Sequence, residues 1–341
     1  MKKAAVFALL AGLALFAVVS QGVASAPRLS MWNRGLFNLY SSDGTTSVGP
    51  SWMGPPTSGP FNDLGLDWSA KDVSWTMTAM WDGDGSKGGF PIYLWDYAGS
   101  YSLFDGRARV TAGKVWSGGD YRLQNFDTTG FSTRIANAET GVLLQVYPIK
   151  GLSLGGFLPV PVANQNVTTT WAQTNLGIAY AIPSVATFVA SCRLEPNPAL
   201  SNSHEYAVGA SIPSLDGVAL SVGFTYRDTL DQYCYFADSS YGIAGFALHL
   251  YGDFVSQTGG SLYGAKFNAE RSIPATPFVG GLSILYGNEI TLWYFNGFEI
   301  NPYLRYDFGG SSVQLGFDGK AGMDMAWSGY QIQLSYTISF P

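Results

Sequence analysis

Residues 330–340 read Tyr-Gln-Ile-Gln-Leu-Ser-Tyr-Thr-Ile-Ser-Phe. Tyr330, Ile332, Leu334, Tyr336, Ile338 and Phe340 alternate with Gln331, Gln333, Ser335, Thr337 and Ser339. Successive side chains of a strand point to opposite faces, so one face here is wholly apolar and the other wholly polar. About eleven residues is also the length a tilted strand needs to cross a bilayer. A half-buried strand of a soluble sandwich alternates in the same way, and only repetition at this length separates the two.

The pattern repeats. Val218, Leu220, Val222, Phe224 and Tyr226 alternate with Ala219, Ser221, Gly223, Thr225 and Arg227. Phe298, Ile300, Leu304, Tyr306 and Phe308 alternate with Glu299, Asn301, Tyr303, Arg305 and Asp307. Shorter runs start at Val73 and at Glu205. The polar faces carry Gly, Ala and Ser beside the charges. A water-filled lumen tolerates such residues, whereas a packed core would want bulk. Rings gather at strand ends (Trp75 with Trp81, and Tyr226, Tyr306 and Tyr336), at the level lipid headgroups favour.

Composition agrees. Of 341 residues 12% are charged, about half the usual share, while 15% are aromatic and 42 are Gly. Aromatic richness excludes disorder. Mean hydropathy of +0.10, with no apolar run of 18 residues after Val19, excludes a helical membrane protein. Residues 1–26 read as a secretory signal peptide: Lys2 and Lys3, the apolar run Ala4–Val19, then the small residues Ala24-Ser25-Ala26. Without it the balance is 16 basic against 24 acidic residues, or −8. No basic cluster is left for nucleic acid.

Residues 27–62 read as a lead-in or as a first strand and loop, and 63–341 as the barrel. Short connections (Pro148–Gly151, Ile182–Val185, Ser214–Gly217) alternate with long ones (Ser117–Gly130, Phe157–Thr170, Glu195–Ser203, Arg227–Ser240). Short periplasmic turns and long outer loops are the barrel rule. About 315 mature residues at roughly 20 per strand and connection give about 16 strands, with 14 and 18 as neighbours. The expected fold is all-β: a transmembrane antiparallel up-and-down β-barrel, wide enough for an aqueous channel.

The leader, the repeated alternating strands and the run Tyr330–Phe340 resemble bacterial outer-membrane β-barrels of the porin type. The resemblance covers the whole mature chain in pattern. It implies a place in the outer membrane of a diderm bacterium, in contact with its lipid. It implies passive passage of small hydrophilic solutes, often through a homotrimer, and no cofactor. In that family a terminal aromatic of the last strand is read by the barrel-assembly machinery. Phe340 fits, and Pro341 after it departs from the pattern.

Charge on inward faces is the best candidate site. Arg107 and Arg109 share one face of Arg107–Thr111, Glu205 and Arg227 lie on others, and Glu299, Arg305 and Asp307 share a third. Rings of charge at a constriction set ion preference, although scattered lumenal pairs are worth little singly. Ser117–Gly130 or Phe157–Thr170 could narrow the pore. Cys192 and Cys234, expected near the outer rim on consecutive hairpins, could form a disulfide in an oxidising compartment, or stand too far apart to bridge. The run Asp82–Lys87 matches half of a calcium loop but lacks the closing Glu, and reads as a solvated turn. Neither His204 nor His249 accompanies a nucleophile-elbow motif, so no catalytic residue and no metal site is assigned. The rivals to a porin are an outer-membrane adhesin or receptor, a plugged transporter of hydrophobic solutes, and a barrel enzyme.

Overall fold

The computed structural model describes residues 26–42, 61–82, 92–115, 139–159, 174–197, 200–228, 231–290 and 295–340. The leader through residue 25, the calcium-like turn beyond Asp82, the two expected constricting segments beyond Pro159 and at 117–130, and Pro341 lie outside them. The described strands are β1 (Arg28–Ser41), β2 (Phe61–Ser69), β3 (Val73–Asp82), β4 (Ile92–Leu103), β5 (Ala108–Val115) and β6 (Glu139–Val146). They continue with β7 (Leu152–Pro159), β8 (Asn175–Ile182), β9 (Ala186–Asn197), β10 (Leu200–Leu215), β11 (Val218–Arg227) and β12 (Gln232–Ile243). The last are β13 (Phe246–Gln257), β14 (Gly260–Ser272), β15 (Phe278–Ile290), β16 (Phe295–Phe308), β17 (Ser311–Ala321) and β18 (Trp327–Phe340).

Each strand pairs antiparallel with its neighbours in the chain, and β1 pairs with both β2 and β18. The pairings therefore form a ring, which in hydrocarbon is the one way for strands to satisfy every backbone N–H and C=O. Eighteen strands stand among the described residues, the upper neighbour of the expected sixteen. The excess comes partly from β1 and β2, where alternation is blurred in the sequence. It also comes from tight connections: 20 residues per unit was too generous.

The two ends of the ring differ. Both termini share one end with eight turns of two to five residues. Asp216–Gly217, Ala244–Gly245 and Gly309–Gly310 have positive φ at both positions, the backbone of a two-residue hairpin whose twist matches the strands. At the other end the four connections before β8 span nine to 23 residues, and the five after β9 only two to five. Two expected long connections are thus corrected. Residues 195–203 fall mostly within β9 and β10, and most of 227–240 belongs to β12. The polar residues that made 227–240 resemble a loop are lumenal side chains of a strand. Gln232 pairs with Arg227, and Asp238 with Ser221.

Register carries the faces of β18 around the wall. Leu334 pairs with Leu315, and Leu315 with Leu304. Leu315 and Leu304 are 48% and 44% exposed, as are similar apolar side chains on this face from β6 to β18. This is a lipid-facing belt. Rings border it at two levels. At the loop end Tyr206 stacks on Tyr226, Tyr226 on Tyr233, and Tyr40 on Tyr330. At the terminal end Tyr306 meets Phe278 and Phe308. Tyr233 and Tyr241 lie eight residues apart on one strand and face outward. Eight residues rise ~27 Å along a strand, or ~20 Å along the normal at a usual tilt, near the ~25 Å of an outer-membrane apolar band.

Val222 pairs with Ala237, midway between those two tyrosines. Val222→Arg is expected to cost about 2–4 kcal/mol of stability in bilayers, because a charge would sit at the membrane midplane. Ser221→Arg, one residue away on the opposite face, should change stability far less. Denaturant titration of the refolded variants in lipid vesicles measures both.

Candidate functional site on the lumenal wall

Following register inward-facing positions around the ring sorts the charges. Of the charged side chains described within strands, all but Arg271 lie on the face opposite the apolar belt. They form groups at different levels rather than one ring.

The first group is at the loop end. Glu205 of β10 pairs in register with Arg227, the last residue of β11. Arg227 Nε donates to Glu205 Oε2 at 2.6 Å, and the Glu205 side chain is 1% exposed. Its buried charge stands because the guanidinium meets it, and Arg227 Nη1 also reaches Gln232 Oε1 at 3.5 Å. Nearby His204 Nδ1 lies 2.9 Å from Asp228 Oδ2, tying β10 to the turn after β11.

A second group follows a lumenal row. Asp238, Tyr251, Lys266, Leu285, Glu299 and Lys320 are consecutive register partners across β12–β17. Lys320 Nζ lies 3.2 Å from Asp318 and 3.8 Å from Glu299. His249 Nε2 is 2.6 Å from Asp238 Oδ1, and Asn301 Nδ2 donates to Glu299 Oε1 at 2.6 Å.

The third group sits toward the terminal end. Arg305 donates through Nη1 to Glu270 Oε1 at 2.8 Å and through Nε to Asp307 Oδ1 at 2.8 Å. The Tyr303 hydroxyl donates to Glu270 as well. Glu270 is on β14 whereas Tyr303, Arg305 and Asp307 are on β16, with β15 between. Gly281 of β15 makes the bridge feasible. It lies between Glu270 and Tyr303 in register, and a Cβ there would collide with the Tyr303 ring.

Arg109 stands apart on β5, donating through Nη2 to Ser74 Oγ at 3.0 Å. Arg107 is not in the strand with it. It lies exposed in the turn between β4 and β5, at the terminal end of the wall. Lys266, Glu270, Asp318 and Lys320 were not among the sequence candidates. Alternation within β14 and β17 could have indicated their face, but not their partners on other strands.

Of the two alternatives for the cysteines, the unbridged one holds: Cys192 and Cys234 are free thiols. Cys192 shares a face with Tyr206, Tyr226 and Tyr233 through successive pairings, so it faces outward. Cys234 pairs with Thr225, and Thr225 with Ala207, on the lumenal face, where Cys234 is 2% exposed. Two strands and the thickness of the wall separate them. Among the described residues no group of three His, Cys, Asp or Glu could hold a metal ion.

No protein-family model and no curated protein matches this chain. Solved structures do match. OccAB3 of Acinetobacter baumannii superposes with a TM-score of 0.59 at 11% identity, over 93% of this chain and 99% of that one. The outer membrane protein opdK of Pseudomonas aeruginosa gives 0.56 at 11% identity, over 92% and 99%. A mutant of the Rh. blastica porin gives 0.50 at 12% identity, over 92% and 100%. The fold is therefore that of the porin-type outer-membrane β-barrel.

Two predictions follow from the wall. Arg227→Met removes the guanidinium that donates to the buried Glu205 carboxylate and is expected to destabilise the barrel, by at most about 3–5 kcal/mol, whereas adding Glu205→Gln should recover part of that loss. Urea midpoints of the single and double variants report it. The unreduced chain, denatured and treated with a maleimide, should take up two labels per molecule by mass spectrometry.

Proposed function

We propose that this chain is a passive channel of a bacterial outer membrane, exported with its N-terminal leader removed, and that small hydrophilic solutes or ions pass through its lumen without cofactor or catalysis. One observation carries the reading: the charged side chains described within strands, apart from Arg271, line the inside of an eighteen-strand ring whose outside is apolar. Rings of 16–18 strands leave an aqueous channel, whereas about eight would be filled by side chains. Charges on an inner wall are stable if water stands there. The similarity to an outer membrane protein and to a porin supports the same reading.

The lumen favours cations. Eight described lumenal side chains are carboxylates: Asp67, Glu205, Asp238, Asp253, Glu270, Glu299, Asp307 and Asp318. Six are cations: Arg28, Arg109, Arg227, Lys266, Arg305 and Lys320. Low-dielectric walls focus such an excess onto passing ions. Arg305 is held between two carboxylates, so its removal uncovers both.

The refolded mature chain in a planar bilayer should give stable conductance steps. Under a salt gradient its reversal potential should have the sign of a cation-preferring pore. Arg305→Ala should raise the cation-to-anion permeability ratio roughly two- to fivefold, about what one unit charge is worth near a wetted protein surface, and Glu270→Gln should lower it. A folded barrel that never conducts overturns the channel and favours an adhesin or a plugged transporter.

A further inference from the structure

Among the charged side chains described within strands, Arg271 is the exception to the sorting of charge. It pairs in register with Phe246 on β13 and Gly280 on β15, both on the lipid-facing side, and its side chain is exposed. It lies at the terminal end of the wall, one residue from the end of β14, at the level of the ring cluster Phe278, Tyr306 and Phe308. Its guanidinium carbon is 4.8 Å from the centre of the Phe246 ring, and among the described residues it has no carboxylate partner.

Beside it the belt is indented. A groove of about 680 Å³ runs over Ala269 and Gly280, walled by Phe246, Ile273 and Leu282, with Arg271 at its edge. Gly280 makes the indentation, for a Cβ built there meets nothing within 4 Å. An unpaired cation at headgroup depth, joined to an apolar trough running toward the midplane, has the two halves of one ligand chemistry. Guanidinium binds phosphate through paired N–H donors, and water-poor surroundings strengthen the pair. The trough would accept a hydrocarbon chain.

We propose that this groove is a specific site for one glycerophospholipid of the periplasmic leaflet, its phosphate on Arg271 and an acyl chain over Ala269 and Gly280. The site rests on the membrane-spanning reading but not on conduction, so a barrel that conducts while retaining no lipid overturns the site alone. Filling the trough should remove the lipid as effectively as removing the charge. Because Gly280 opens onto free space, Gly280→Leu can fill it without disturbing the barrel.

The test is native mass spectrometry of the refolded mature chain, delipidated in neutral detergent and titrated with phosphatidylglycerol, with diacylglycerol as the headgroup-free control. One phosphatidylglycerol per chain should be retained. Arg271→Gln and Gly280→Leu should each weaken retention about tenfold or more, as loss of a charge-assisted contact does, and diacylglycerol should not be retained. Equal retention by wild type and both variants overturns the site, as does retention of diacylglycerol as strong as that of phosphatidylglycerol. If Gly280→Leu instead dissociates an oligomer and leaves lipid counts unchanged, the groove belongs to a second copy of the chain and the lipid proposal fails.

Discussion

The structure depends on a constraint of the backbone. In hydrocarbon no water can satisfy an N–H or C=O, and each one left unpaired costs several kcal/mol. A strand that crosses a membrane must therefore pair on both edges. Here every described strand does, with β1 bonded to β18 on one side and β2 on the other. Once the ring is formed, each strand has one face in lipid and one in water. The period-2 alternation, the outward belt and the inward charges are consequences of that single division.

The division made much of the fold legible. In β11, β16 and β18 apolar and polar residues alternate so regularly that the sequence assigns each side chain to its observed face. Legibility fails where residues break the contrast. Gln232 and Asp238 in β12 resemble a polar loop because a lumenal face and a loop share a composition. That misreading displaced Cys234 from a strand into a connection and made a disulfide look feasible. Parity in the register places the two thiols on opposite faces, which no count of loop lengths can show.

The lumenal site divides in the same way. Arg305 and Asp307 were visible as a pair because residues two apart on a strand share a face. Glu205 and Arg227 could be suspected, since β10 and β11 are joined by a tight turn. The partnership of Arg305 with Glu270 was not legible. It skips a strand, and it depends on Gly281 lying under Tyr303, a coincidence of three registers. Short-range parity is written in each segment, but long-range chemistry on a barrel wall is written in how segments are staggered.

The pairing of β1 with β18 has a consequence in time. Trp32 and Ser339 become neighbours although about three hundred residues separate them, and no closer pair can take their place. Contacts that distant pay the full loop-closure entropy before returning anything. Until the last strand arrives, a partly assembled wall carries two bare edges, each a template for another chain. A fragment lacking β18 would therefore be a sheet seeking a partner rather than a smaller barrel. Assembly of this protein is then a race between one very distant contact and whatever nearby strand finds the open edge first.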